Sequence, residues 1–400
     1  MRKKVCRIKK AVLKLRIYEG KMDQEIVFTY QPETEIAVKE LLGQLKNVPG
    51  KYDAVLFFAS SDYDFSLLSS LLHDKFCNAE VIGTTTSGEI SNSGFTTKSI
   101  VLSALSCGRT RFSGIALDGV DKFPIVHKQK LEDAARKIGI KCADSMSHKD
   151  AFAITFVNGL CNAEEALLSF FYSVIKNDNF MIAGGSAGDD LKFQKTFASY
   201  NGTVVSDGAV ILFVKTPLPF FIQKENIFKP TGRRTKITQA DTRIRKIISL
   251  DGMNPRTRYA QLLGIPESKA GDAALTNPFG RVFGGHTFIS SIAGFNDDGT
   301  INMYSRVLTN STVEIMELVP IEEKIEDSLN TALKEIPHPK CIILINCILR
   351  TIIFQQQNLC QKICSLYESH GLKFAGFSSY GEQIGRINSN QTLVNIIIGE

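Results

Sequence analysis

Three stretches of this 400-residue chain repeat one short pattern, and the repetition constrains the fold more than any other feature. In each copy the end of an apolar run leads into small residues and then hydroxyl-bearing residues. Each copy also carries a glycine followed by an acid. The copies are residues 81–90 (VIGTTTSGEI), 181–190 (MIAGGSAGDD) and 374–384 (FAGFSSYGEQI). Because repeats at this scale indicate one supersecondary unit used several times, the three copies have to be interpreted together.

Each copy also sits at the same place in a longer unit. A short apolar run comes first, a stretch with helical spacing follows, and another apolar run comes after the glycine loop. Short apolar runs bounded by turn residues are typical of sheet strands covered on both faces. The flanking strands are predicted at 54–58, 99–105, 151–157, 208–214, 341–348 and 392–399, and the helices at 62–76, 163–175 and 355–369. We therefore predict an α/β protein in which three related strand-helix-strand-loop-strand units form mixed sheets.

The chain changes character after the second unit. Prolines and glycines cluster between residues 215 and 235, so we predict two domains, 1–230 and 231–400. Beyond this boundary, three strand-like runs predict a C-terminal antiparallel meander. The Asn-Asp-Asp-Gly stretch at 296–299 is a strong hairpin signal between two of those runs. The meander strands are predicted at 288–295, 301–307 and 312–318, and two further hairpin turns at 107–109 and 201–202.

Composition excludes several functional classes. The net charge of +6 is misleading, because residues 1–16 hold eight basic residues and no acid, leaving 39 basic against 41 acidic residues in the remainder. A nucleic-acid-binding surface needs its positive charge on the folded body. No apolar run is long enough to span a bilayer. Nine cysteines, an odd number spread along the chain, indicate a reduced, cytoplasmic protein without a disulfide framework.

The glycine loops are the predicted ligand site, because ligands of α/β sheets bind where strands run into loops. An acid beside each loop would repel a phosphate and attract an ammonium group, so we predict a small polar or zwitterionic ligand rather than a nucleotide. Amine recognition is assigned to Glu89 or Glu382, with Asp189 as the third loop acid, and carboxylate recognition to Arg281 or Arg306. The hydroxyl and backbone contacts are assigned to Thr85, Thr86, Ser186, Ser378, Ser379 and Tyr380.

Other interpretations stay open at this point. Glycine turns with a hydroxyl and an acid also occur merely to cap the next segment. His286, between a glycine pair and aromatic residues, is the one histidine suited to an axial haem ligand. Ser186 has the Gly-x-Ser-x-Gly spacing of a hydrolase nucleophile, but a hairpin rather than a helix is predicted after it. Cys360 and Cys364 share a helix face without the second pair that a zinc site needs, so neither zinc nor any other metal is predicted.

The chain resembles the FIST family of intracellular sensory proteins. The most specific match is the Gly-Phe-Ser-Ser-Tyr-Gly-Glu stretch at 376–382. Further matches lie at 81–90, 182–190, 235–264, 277–280, 297–299 and 391–393, so that the resemblance covers nearly the whole chain. The two predicted domains correspond to the N-terminal and C-terminal domains of that family.

The resemblance implies signal input rather than catalysis. Members of the family are thought to bind small, often amino-acid-like ligands and to signal to histidine kinases, cyclases or chemoreceptors, and some bind haem and sense nitric oxide. No output domain is attached to this chain, so we expect it to signal through a separate partner protein. We expect a non-enzymatic module without a resident cofactor, with a haem-based gas sensor and a Ser186 hydrolase as alternatives.

Overall fold

The computed structural model describes residues 22–142, 149–283 and 286–400, apart from the side chains of Phe283 and His286. The basic segment at 1–16 lies outside the described residues. The first unit comprises β1 (Asp23–Thr29), α1 (Thr34–Gln44), β2 (Ala54–Ser60), α2 (Phe65–Lys75), β3 (Glu80–Thr86), β4 (Glu89–Ser91), β5 (Gly94–Thr96) and β6 (Ile100–Ser106). The second comprises β7 (Arg111–Leu117), α3 (Lys128–Lys137), β8 (Ala151–Val157), α4 (Glu164–Ile175), β9 (Met181–Ser186), β10 (Ala198–Tyr200), β11 (Thr203–Val205) and β12 (Ala209–Lys215).

The third unit begins with β13 (Phe220–Asn226) and is interrupted by an inserted antiparallel region before it resumes. The insertion holds β14 (Phe228–Asp241), β15 (Lys246–Leu250), α5 (Pro255–Leu263), α6 (Ala270–Ala273), β16 (Phe279–Phe283), β17 (His286–Ser290), β18 (Ile292–Phe295), β19 (Ile301–Met303) and β20 (Thr312–Leu318). The unit is completed by α7 (Ile321–Glu335), β21 (Pro339–Cys347), α8 (Ile348–Gln356), α9 (Cys360–Ser369), β22 (Ala375–Ser379), β23 (Glu382–Ile384), β24 (Ile387–Ser389) and β25 (Thr392–Gly399).

The three units exchange their short hairpins in a cycle. The strand orders are β1-β6-β2-β3-β10-β11, β7-β12-β8-β9-β23-β24 and β13-β25-β21-β22-β4-β5. Each sheet therefore takes four strands from its own unit and a two-stranded hairpin from another. Parallel pairs such as β2 with β3 and antiparallel pairs such as β2 with β6 occur in the same sheet. The predicted fold class, three related units in mixed sheets with an antiparallel part, is confirmed.

The inner faces of the three sheets share one apolar core. Phe58, Phe156 and Phe377, one from each unit, are fully buried and lie with ring centroids 5.1 to 5.9 Å apart. Aromatic pairs at such distances add to the free energy gained by burial. Helices α1 and α2 cover the outer face of the first sheet, α3 and α4 that of the second, and α7 to α9 that of the third. This shared core fixes the ends of the sheets, and hence the glycine loops, relative to one another.

The insertion forms a seven-stranded antiparallel sheet in the order β17-β16-β20-β14-β15-β19-β18. The hairpin predicted at 296–299 is confirmed, because Phe295 pairs with Ile301 across it. The third predicted meander strand forms as β20, but it lies between β16 and β14 and not beside β19. Strand β13 lies before the predicted boundary at residue 230, but it pairs with β25, which lies after it. The third unit therefore contains strands from both predicted domains. The division at residue 230 stays a prediction.

One predicted hairpin is wrong and another is confirmed. Strands β6 and β7, on either side of the turn at 107–109, do not pair with each other. Strand β6 has β1 and β2 on its two edges, so it has no free edge, and β7 pairs with β12 instead. By contrast, β10 and β11 pair across Asn201 and Gly202, both of which have positive φ angles as a tight two-residue turn requires.

Two predicted elements are divided by single residues in the left-handed region. The helix expected at 355–369 is two helices, α8 and α9, separated where Asn358 has a φ of 56°. The alternating run of residues at 235–250, a pattern that predicts a strand, instead spans the hairpin of β14 and β15, and Arg245 in its turn has a φ of 55°. Within the described parts of the chain, no helix combines the length and the apolar character needed to cross a membrane.

Candidate functional site

The three glycine loops meet at one end of the shared core. The backbone N–H of Ser87 donates to the carbonyl of Ser378 at 2.9 Å, which joins the first loop to the third. The N–H of Tyr380 donates to Ser186 at 3.0 Å, and that of Gly188 to Thr85 at 3.0 Å, closing the cycle. Because backbone bonds between the loops fill the junction itself, a site for a ligand could lie only beside it.

Glu89 and Glu382 occupy equivalent positions and are fully buried. The Glu89 carboxyl contacts the Thr86 hydroxyl on one oxygen, and its other oxygen accepts from the backbone N–H and hydroxyl of Ser99 at 3.2 and 2.5 Å. The Glu382 carboxyl contacts the Ser379 hydroxyl at 2.5 Å and accepts from the N–H and hydroxyl of Thr392 at 3.2 and 2.7 Å. The repeated glycine-acid motif therefore builds the same buried cluster twice.

The hydroxyl groups in these clusters favour the protonated form of both glutamates. Thr86 Oγ1 is also 3.3 Å from the Ala59 carbonyl oxygen, and Ser379 Oγ is 3.2 Å from that of Asn346. A hydroxyl has one proton and cannot donate to two acceptors, so the second contact needs the carboxyl proton. Burial raises the pKa of Glu89 from 4.5 to about 8 and that of Glu382 to about 7, although the neighbouring hydroxyls lower both.

Asp189, the acid of the second loop, has a different environment. Its carboxylate accepts the backbone N–H groups of Phe193, Gln194 and Lys195 at 2.6 to 2.9 Å, and the Tyr380 hydroxyl donates to it at 2.5 Å. Burial raises the pKa of Tyr380, and the bond to Asp189 raises it further. Asp189 thus holds a loop, residues 188–195, against the third unit. Three non-glycine residues of this loop, Asp190, Leu191 and Phe193, have positive φ angles, which is a strained conformation.

The hydroxyl groups of the predicted site residues bond largely within the protein. Thr85 Oγ1 accepts the Phe197 N–H at 2.9 Å, and Ser378 Oγ lies 2.8 Å from Thr351 Oγ1. Ser186 Oγ donates to Glu164 at 3.0 Å and accepts from Gln383 at 3.1 Å. Ser186 is followed by a loop and the β10–β11 hairpin, the setting predicted for it and not that of a hydrolase elbow. Ser186 therefore connects the loop junction to Glu164.

A cavity of about 170 Å³ lies beside the junction, where the second unit, the third unit and the inserted sheet meet. The Phe193 and Tyr380 rings stack at 5.2 Å between centroids and form one side of it. The remaining wall comes from the segment before and at the start of α4 and from the insertion: Gly159, Leu160, Asn162, Glu164, Arg245, Met303 and Tyr304. The cavity is smaller than the roughly 300–1,000 Å³ typical of sites for drug-sized ligands, so it suits a small ligand.

A charge cluster that the sequence analysis missed lies at this cavity. Arg245 Nη2 lies 2.6 Å from a Glu164 oxygen and 2.7 Å from a Glu165 oxygen, and Nη1 donates to the Tyr304 carbonyl at 2.6 Å. Burial opposes the charged form of Arg245, but the two carboxylates outweigh it and raise the pKa of the guanidinium. Both Arg245 and Glu164 are buried. The consecutive glutamates at the start of α4 were the available sequence signal, but nothing linked them to an arginine some 80 residues later.

The structure does not bring Arg281 into this site. The Arg281 side chain is exposed and contributes to a larger cavity, about 500 Å³, on the inserted sheet with Arg234, Phe288 and Glu314. Arg306 lies closer, since its backbone N–H donates to Glu165 at 3.0 Å, but its exposed side chain lines a separate small cavity. We favour the cavity of about 170 Å³ beside Tyr380 as the candidate site, because it adjoins the glycine loops and is lined by buried charged side chains.

The haem alternative rests on His286, whose side chain lies outside the described residues, so it stays a prediction. Cys360 is half-buried and Cys364 is buried, both on α9. Over the ranges that the structure describes, no group of three or more His, Cys, Asp or Glu side chains is arranged to hold a metal ion.

Comparisons with known proteins identify the same family that the sequence motifs resemble. The family model described as FIST N domain matches residues 53–253, and that described as FIST C domain matches residues 257–385. An uncharacterised protein of Methanocaldococcus jannaschii is 24% identical over 250 residues, a match that covers 54% of this chain. The chain spans about half (48%) of the length of that relative.

Solved structures of cyanuric acid hydrolase are also similar to this chain. The one from A. caulinodans has a TM-score of 0.39 at 6% identity, and another has 0.38 at 7% identity. Each match covers 95% of this chain and 100% of the other. Likenesses this weak carry no argument about activity.

Proposed function

This chain belongs to the FIST family, whose domains are associated with signal sensing, and from that premise we propose that it binds a small polar ligand in the cavity beside Tyr380. The observation that carries the proposal is the position of the cavity, at the junction of two of the units and the inserted sheet. Cavities between structural parts are frequent ligand sites. A ligand there contacts parts of the chain that are far apart in sequence.

The same position suits a sensor, because a ligand that bridges two parts of a protein biases their arrangement. A ligand shifts a conformational equilibrium only to the extent that it binds one state better than the other. Here the ligand would contact Arg245 and Tyr304 of the insertion as well as Glu164 and Tyr380 of the three-unit body. The loop at 188–195, with its strained residues, is the segment that we propose to respond.

The proposed role is sensory and not enzymatic. We propose a cytoplasmic module that passes the bound state to a separate signalling protein, such as a histidine kinase, a cyclase or a chemoreceptor. Among the predicted site residues, Tyr380 lines the cavity directly, and Ser186 and Asp189 hold groups that line it. Both carboxyl oxygens of Glu89 and of Glu382 already have partners within the protein, so we now assign the recognition of a charged ligand to the Arg245 cluster.

A thermal-shift screen of the full chain against amino acids, amines and small metabolites tests this function. A ligand at 100 times its dissociation constant stabilises the native state by about 2.7 kcal/mol. That corresponds to a rise in melting temperature of a few °C for a chain of this size. We expect at least one such ligand, and we expect Phe193→Ala to weaken its binding roughly tenfold or more by removing one wall of the cavity.

Phe193 is a suitable position because its side chain is 49% exposed and its loss should leave the fold intact. Phe123→Ala is the matched control, since Phe123 is 69% exposed and does not line the cavity. A ligand whose affinity is the same in Phe193→Ala as in the unmodified chain would place the binding site elsewhere and contradict the proposal.

A further inference from the structure

We propose that the cavity beside Tyr380 selects a small organic cation that lacks a carboxylate, such as a primary amine, and not an amino acid. The inference rests on the proposed function and deepens it by naming the class of ligand. Three features of the described residues carry it: an excess of negative charge in the Arg245 cluster, buried acceptor oxygens near that cluster that lack a donor, and an aromatic and apolar wall.

Negative charge exceeds positive charge in the Arg245 cluster, of which Arg245 and Glu164 line the cavity and Glu165 does not. The carboxylates of Glu164 and Glu165 share a single guanidinium, that of Arg245, so this cluster has one uncompensated negative charge. Asp189 lies behind Tyr380 and accepts its hydrogen bonds from backbone N–H groups and a hydroxyl, while Lys192 is the cation that interacts with it electrostatically. Partly buried carboxylates without full compensation attract a cation more strongly than solvated ones do. A ligand with one positive charge would neutralise the cluster.

Two buried amide oxygens near the cluster lack a hydrogen-bond donor among the described residues. Gln383 donates through its amide nitrogen to Ser186, which donates in turn to Glu164. The other end of this side chain, Gln383 Oε1, is buried and has no donor among the described residues, and the same holds for Asn390 Oδ1 on the same hairpin. Neither residue lines the cavity, so these oxygens contribute to the acceptor-rich surroundings without contacting a ligand. An ammonium group, with three donors and no acceptor, suits such surroundings.

The wall of the cavity suits an organic cation. Phe193 and Tyr380 are stacked, and the Tyr380 hydroxyl is already bonded to Asp189, so the tyrosine contributes mainly its ring. Aromatic rings attract cations placed near their faces. Leu160 and Met303 add apolar surface, which favours a ligand with a short hydrocarbon part over a bare metal ion.

The same cavity disfavours the binding of a ligand carboxylate. Both protons of Arg245 Nη2 are directed to Glu164 and Glu165, and Nη1 donates to the Tyr304 carbonyl. The remaining N–H groups of Arg245 belong to the same guanidinium, so a ligand carboxylate bound there would lie beside two like charges, which is unfavourable at short range. The geometry therefore favours an amine over its parent amino acid, which is the same molecule with an additional carboxyl group.

Titration calorimetry and thermal shift on the full chain test three pairs of an amine and its parent amino acid: tyramine and tyrosine, 3-methylbutylamine and leucine, and 2-phenylethylamine and phenylalanine. At least one amine should bind, and its parent amino acid should bind roughly tenfold more weakly or worse. Glu165→Gln should weaken amine binding by a similar factor, because it removes the uncompensated charge while Arg245 keeps Glu164. Glu322→Gln, at an exposed glutamate paired with Lys362, is the matched control and should bind the amine normally.

The outcomes separate this inference from the proposed function. Amine binding that is weakened by both Phe193→Ala and Glu165→Gln supports both. If amino acids bind as tightly as their amines and Phe193→Ala weakens that binding, the ligand class is overturned and the proposed site stands. If amines bind but Phe193→Ala leaves their affinity unchanged, both are overturned. The absence of binding by every probe would also overturn the amine class.

Discussion

The double variant Glu89→Gln, Glu382→Gln is expected to be more stable than the unmodified chain above about pH 8, and the difference should shrink as the pH falls towards about 5. Glutamine has the shape of a protonated carboxyl group, and its amide can donate to the Thr86 or Ser379 hydroxyl where the carboxyl proton does. The variant therefore keeps the two clusters in their native form at every pH.

The direction of the pKa shifts explains why the double variant should be the more stable protein at alkaline pH. Burial raises the folded-state pKa of Glu89 to about 8 and of Glu382 to about 7, above their ordinary value of 4.5. Between these values and 4.5 the folded state binds more protons than the unfolded state, so its stability falls as the pH rises. Since one pKa unit corresponds to about 1.4 kcal/mol, each glutamate should destabilise the folded state at alkaline pH by an amount on the order of a few kcal/mol.

Urea unfolding at a series of pH values measures the effect. Asp189→Asn is the informative comparison, because Asp189 accepts four hydrogen bonds and an amide nitrogen cannot accept. That variant should be less stable than the unmodified chain throughout the neutral range. A double glutamine variant with the same pH dependence as the unmodified chain would show that neither glutamate is protonated in the folded state.

Arg350→Met is expected to destabilise the chain by about 3–5 kcal/mol, because it leaves a buried carboxylate without its partner. Arg350 is 1% exposed and pairs with Glu225, which is also buried, and it donates to the Glu225 carbonyl at 3.3 Å. The pair joins α8 to β13, the strand that leads into the inserted sheet. Its loss should therefore loosen the connection between the insertion and the third unit.

Chemical denaturation again provides the measurement, and a second substitution separates charge from packing. Arg350→Met combined with Glu225→Gln should recover part of the lost stability, since the second change removes the unpaired charge. Arg136→Met, at an exposed pair with Asp133, should cost no more than about 1 kcal/mol. If Arg350→Met cost as little as that control, the buried pair would have no structural importance.

The sequence predicted the three units well, because each contains apolar runs of the length and spacing that strands and helices need. It could not predict the exchange of hairpins between units. Strands β4, β10 and β23 have three residues each, and these short, largely polar stretches carry no pattern that shows which sheet edge they complete. The hairpin at 107–109 was wrong for the same reason. Local turn residues predicted that β6 pairs with β7, but both edges of β6 are already occupied by β1 and β2.

The candidate site was predicted in part. The glycine-acid loops do meet, and Tyr380 lines the cavity beside them. The acids, however, are directed into the protein, and their burial depends on strand pairings that local sequence does not encode. Arg245 is the clearest omission: it belongs to the insertion, lies in a turn, and meets Glu164 and Glu165 only because the insertion packs on the second unit. Long-range contacts of this kind leave no periodic signal.

Hydrogen–deuterium exchange of the full chain, with and without the tightest ligand from the screen, tests the central claim most directly. If the ligand bridges the three-unit body and the insertion, backbone exchange should slow together in three separate segments, 159–164, 189–195 and 303–306. Residues 280–282 and 312–314, which line the larger cavity on the inserted sheet, should be unaffected. Protection confined to that larger cavity, with unchanged exchange around Phe193 and Tyr304, would contradict the account.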